Sequence, residues 1–105
     1  MGQNFATTIT GLGGISSSLN IAAAKVVKPT LGTLFRVLVQ AVGTTGTLTL
    51  NDCATVAAAA AGNQILTLLT ANLTVGQVIT LDWPCQTGIV VSVCSGGIVV
   101  SIAFA

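Results

Sequence analysis

The sequence predicts an all-β protein: a single small β-sandwich or jelly-roll-like domain with an extended N-terminal arm. Three observations predict it. From Ile21 onward the chain breaks into about seven short runs rich in Val, Ile, Leu and Thr. Several of these runs alternate with the period of two expected of a half-buried strand. Gly, Pro, Asn and Asp separate them at the near-regular spacing of sandwiches and barrels.

Residues 1–20 differ from the rest. They are rich in Gly, Ser and Thr, and Gly11, Gly13 and Gly14 interrupt any helix or strand pattern. Phe5, Ile9, Leu12, Ile15 and Leu19 are spaced apolar anchors, which flexible linkers lack. The segment reads as either a floppy terminus or an arm lying extended over a neighbouring subunit; the spaced anchors favour the arm, with these five residues as candidate contacts. The sandwich is expected over residues 21–105.

Within it, Ile21 to Lys28 reads as a first strand ended by Pro29, which has no N–H for a ladder. Thr33 to Val42 is the second. Phe35, Val37 and Val39 fall on one face, and Leu34, Arg36, Leu38 and Gln40 on the other. Apolar residues on both faces suggest that a partner covers one of them. Gly43-Thr44-Thr45-Gly46 has hairpin-turn composition. Thr47 to Asn51 returns with Leu48 and Leu50 inward. Ala57 to Ala61 has high helix propensity but is too short for a stable helix, so a small-residue loop or a single turn is expected. Gln64 to Thr70 alternates partly. Gln77 to Trp83 places Ile79, Leu81 and Trp83 on one face, and Pro84 ends it. Gly88–Val93 and Gly97–Ile102 echo one another across Cys94-Ser95-Gly96-Gly97, which reads as one hairpin.

Composition narrows function by exclusion. Only 5% of residues are charged, and 52% are hydrophobic; a typical soluble domain is about 25% charged. So few charges favour association, and interface cores are depleted in charge. A permanently assembled subunit is expected. Three basic residues, Lys25, Lys28 and Arg36, do not make a nucleic-acid surface. Mean hydropathy is +0.96, yet no stretch approaches the roughly 20 apolar residues of a spanning helix. The N-terminus lacks the basic and continuous apolar regions of a secretory signal, which points to a reducing compartment.

Catalytic chemistry has little to work with. His, Glu and Tyr are absent, and Asp52 and Asp82 are the sole carboxylates. Asp52 reads as a turn residue bonding its own local backbone, and Asp82 as a solvent-side residue or the partner of a Lys. Cys53, Cys85 and Cys94 have neither zinc-site spacing nor a His partner and read as buried small side chains. A Cys85–Cys94 disulfide requires those segments to be neighbours. Trp83 reads as a core or interface anchor, with sugar stacking as the alternative. The expectation is a non-enzyme with no cofactor, metal or small-molecule substrate.

The stretches Val26–Val39, Asn51–Ala58, Gly62–Ile65 and Trp83–Val91 together resemble short tailed-phage virion proteins similar to capsid cement (decoration) proteins. The resemblance covers about residues 22–104 and carries no individual functional residue. It implies a β-sandwich on the capsid surface, a homo-oligomer with a trimer favoured, and the major capsid protein as partner. The alternatives are another virion part (head fibre base, tail or baseplate) or a carbohydrate-binding module using Trp83.

Overall fold

The computed structural model describes residues 14–105. Phe5, Ile9 and Leu12, with most of the expected arm, lie outside the described residues. The remainder forms eight strands: β1 (Ser16–Ile21), β2 (Lys25–Lys28), β3 (Gly32–Val42), β4 (Thr47–Asn51), β5 (Gln64–Leu69), β6 (Val78–Cys85), β7 (Ile89–Cys94) and β8 (Ile98–Phe104). They pair into two four-stranded antiparallel sheets, ordered β1-β8-β3-β6 and β2-β7-β4-β5. Of the seven connections, only β4 to β5 joins strands of one sheet; the other six cross between sheets. That order is the jelly roll, two interlocked Greek keys in a double sheet. The expected all-β sandwich is therefore present.

The core lies between the sheets. Leu34, Val37 and Val39 of β3 meet Leu48 and Leu50 of β4, Ile89 and Val91 of β7, and Ile98, Val100 and Ile102 of β8, all essentially sealed from solvent. Each such side chain contributes about 1.5–3 kcal/mol of transfer free energy.

Four expectations are corrected. The arm boundary at Asn20 falls inside a strand: Ser16–Ser18 pair with Phe104–Ile102, so β1 is an edge of the sandwich. The single strand expected over Ile21–Lys28 is two, split at Ala22–Ala24 and placed in opposite sheets. Neither expected hairpin forms. Gly43–Gly46 carries the chain from β3 in one sheet to β4 in the other, and Ser95–Gly97 carries it from β7 to β8. The two turns instead pack backbone to backbone. Thr44 N–H donates to the Gly96 carbonyl (3.1 Å), and Ser95 N–H to the Thr47 carbonyl (3.1 Å). Gly43 (φ 65) and Gly96 (φ 67) are left-handed, and a Cβ on either would collide with the other turn's backbone.

The fourth correction concerns faces, and bulges cause it. Between Leu34 and Arg36, β3 carries one residue more than β8, so Leu34 joins Val37 in the core and Phe35 becomes the half-buried extra residue. In β6 an extra residue near Asp82 (φ 47) breaks the alternation, and Trp83 is half exposed opposite Leu34, not packed with Ile79 and Leu81. Pro84 lies within β6, as an edge strand permits. In β7, Ser92 is the extra residue, which turns Val93 outward and Cys94 inward. The alanine run folds into two short 3-10 turns, Val56–Ala58 and Ala61–Asn63, separated by an extended link, matching the expected small-residue turn.

Candidate interaction surface

Among the described residues, the outer face of the β1-β8-β3-β6 sheet holds an exposed apolar trough. Ser17 and Leu19 of β1, Arg36 and Leu38 of β3, Val78 of β6 and Ala103 of β8 line a shallow trough of about 320 Å³. Leu19 is 63% exposed, Val78 55% and Leu38 40%. Leu38 and Val78 stand directly opposite each other in the ladder, so their side chains form one patch. Arg36 is the only charged residue of the lining. Ser101 also lines the trough; its Oγ donates to Gln40 Oε1 (2.6 Å), Gln40 Nε2 to Asn20 Oδ1 (2.9 Å), and Asn20 N–H to Ser101 Oγ (3.2 Å). This ring ties β1, β8 and β3 together.

The outer face of the other sheet is different, because residues 52–63 fold over it. Asn51, nearly sealed, donates through Nδ2 to the Ala60 carbonyl (3.0 Å) and to Asn63 Oδ1 (2.7 Å), and accepts from Ser92 Oγ (2.6 Å). Asn63 in turn donates to the Ala58 carbonyl (3.0 Å) and accepts from Ala60 N–H (3.0 Å). Every polar atom of the buried amide is thereby engaged. A groove of about 390 Å³ remains, lined by Thr49, Asn51, Gln64, Ser92 and small apolar side chains. Trp83 belongs to the opposite sheet. The stacking ring and the hydroxyl-rich groove that a sugar platform would combine are therefore on different sheets.

Asp52 is a latch between distant segments, not the local turn residue its neighbours suggest. Its carboxylate accepts N–H bonds from Gln86 (2.8 Å), Thr87 (2.8 Å) and Gly88 (3.2 Å), closing the β6–β7 turn onto the end of β4. Partial burial acts to raise its pKa, but the three N–H groups together outweigh burial and hold it below the ordinary carboxylate value. Asp82 is exposed on the β6 bulge. The three cysteines are buried and free, with no Cys85–Cys94 bond. Burial pushes all three thiols up. Cys85 reaches about 11, with the Asp52 charge adding to the effect. Thiols so held are not thiolate nucleophiles at neutral pH. Among the described residues no three His, Cys, Asp or Glu side chains are grouped to hold a metal ion. No helix among them is long and apolar enough to cross a membrane.

Of the residues singled out from sequence, Ile15 and Leu19 are exposed at β1 and Trp83 is half exposed on β6. Only Leu19 lines the trough. Leu38 and Val78 were not singled out, although both fall on strand faces that alternation turns outward. An apolar residue on an outward face was the available signal. Comparison with family models, curated proteins and solved structures returned no match to this chain.

Proposed function

We infer that the protein is a structural virion subunit of the capsid-cement type, bound to the surface of a phage shell and bridging major capsid subunits. The observation that carries the reading is the trough of Leu19, Leu38 and Val78 on an open jelly-roll face. A charge-poor chain gains by covering such a patch, at roughly 25 cal/mol per Å² before association costs. Jelly rolls are a recurrent capsid architecture, which adds weight by analogy alone. The resemblance to short virion proteins supplies the phage context, the homo-oligomer and the shell partner.

The experiment is particle loading. Purified particles incubated with the wild-type chain should carry it in hundreds of copies, and Leu38→Lys with Val78→Lys should remain folded yet fail to load. A double variant that loads as well as wild type would remove the trough from the contact. A copy number near a dozen would assign the chain to the tail or baseplate instead.

A further inference from the structure

The sequence has three basic side chains, and Arg36 is placed unlike the other two. Lys25 and Lys28 bracket β2, at the edge of its sheet, where lysines guard against strand pairing. Lys25 Nζ also donates to Ser18 Oγ (2.8 Å). Arg36 lies on β3, flanked by β8 on one side and β6 on the other. Its ladder partners are Ala103 and Thr80, both short and uncharged. Two residues further along the same face, Leu38 stands opposite Val78. Arg36 therefore lines the trough beside its apolar rung, in the middle of a face with no other charge in the lining. The sequence has two carboxylate side chains to offer it. Asp52 is engaged by the N–H groups of Gln86, Thr87 and Gly88. Asp82 sits on the β6 bulge, and among the described residues neither carboxylate forms an ion pair or hydrogen bond with Arg36.

We propose that the trough takes a protein surface of mixed chemistry: apolar side chains over Leu19, Leu38 and Val78, and an Asp or Glu carboxylate paired with Arg36. The inference rests on the attachment reading above and names what the partner must carry. Covering the trough takes the guanidinium out of water, and a buried charge left unpaired is strongly unfavourable. The chain brings no carboxylate of its own to the ladder positions beside Arg36, so the partner supplies it. A guanidinium fork donates two parallel N–H bonds to one carboxylate, which fixes the partner's direction as well as its charge. Arg36 is thus the specificity determinant of the face. A wholly apolar partner strands its charge, a basic one is repelled, and an acidic side chain set among apolar ones is admitted in one register. The apolar residues supply the area; Arg36 supplies the selection. Arginine is also a side chain enriched among those that carry most of the energy of protein interfaces.

Particle loading by three full-length variants tests this, each first shown to melt like wild type by circular dichroism. Arg36→Met keeps the apolar stem and removes the charge; it should load at least about tenfold more weakly than wild type. Arg36→Lys keeps the charge and should load more tightly than Arg36→Met. Treating those loaded particles with a carbodiimide, which condenses a carboxylate with an amine, should join residue 36 to an Asp or Glu of the shell protein, read by mass spectrometry. Asp82→Asn should load like wild type. Loading of Arg36→Met within about twofold of wild type overturns the proposal, because the arginine then stays in water at the rim. So does Arg36→Lys loading no better than Arg36→Met, or loading without joining a shell carboxylate. A weakened Asp82→Asn, or a link from residue 36 to residue 82, overturns it by making the carboxylate the chain's own. Loading by Leu38→Lys with Val78→Lys removes the attachment reading and this inference together. Failure of that double variant alongside wild-type loading by Arg36→Met removes the inference alone.

Discussion

Asp52 shows how one side chain can close a topology. Its carboxylate holds three N–H groups lying 34 to 36 residues away in sequence. Hydrogen bonds to a charged group contribute more than neutral ones, so Asp52→Asn should cost roughly 1–2 kcal/mol in urea unfolding at neutral pH. The pH dependence has a definite sign. The folded pKa lies below the unfolded value; the contribution is therefore complete above about pH 5 and is lost as pH falls through the folded pKa. The wild-type melting temperature should be level from neutral to about pH 5 and fall below about pH 4, and Asp52→Asn should flatten that acid limb. An unchanged acid limb in the variant would show that other carboxylates govern it. The cysteines allow a second check: sealed thiols with raised pKa values should resist an aromatic disulfide reagent in the native state, and all three should react in denaturant.

Turns and bulges decide the behaviour of the elements. Gly43 and Gly62 are both glycines beside strands or turns, but their surroundings differ. At Gly43 the backbone is left-handed and the Gly96 carbonyl occupies the space of a Cβ; at Gly62 nothing lies nearby and φ is ordinary. Gly43→Ala should cost about 2–4 kcal/mol through strain and separation of the two turns. Gly62→Ala should be neutral or stabilise by about 0.5 kcal/mol, because it restricts the unfolded chain. Paired thermal melts read both. The turn positions were legible from their Gly and Thr composition. That they join opposing sheets was not, because a left-handed glycine serves a hairpin and a crossing turn equally well.

At the scale of the molecule, β8 follows the other described strands in sequence yet lies between β1 and β3, so Ser18 pairs with Ile102, far along the chain. The sandwich cannot be completed until residues 98–104 are present. A chain ending at Gly97 should fail to give a cooperative melt, since β1 loses its partner, and β3 one of its two, among the described strands. Refolding should be slow for a domain of this size, in the millisecond-to-second range, because most pairings are non-local. Stopped-flow Trp83 fluorescence would measure it, and microsecond refolding would contradict the reading. The trough depends on the same non-local pairing: Leu19, Leu38 and Val78 come from three strands that only β8 and β3 bring side by side.

The sequence by itself determined that the protein is all-β, where most strands and turns fall, that it is poor in charge and catalytic side chains, and that Leu48 and Leu50 point inward. These follow from local periodicity and composition. Only the tertiary structure decided which sheet each strand joins, that β1 belongs to the sandwich, and which side Leu34, Trp83 and Val93 face. A strand's period of two is written in its own residues. Its partner is chosen by burial against strands far away, and one unpaired residue at a bulge reverses the faces without leaving a mark in the local pattern.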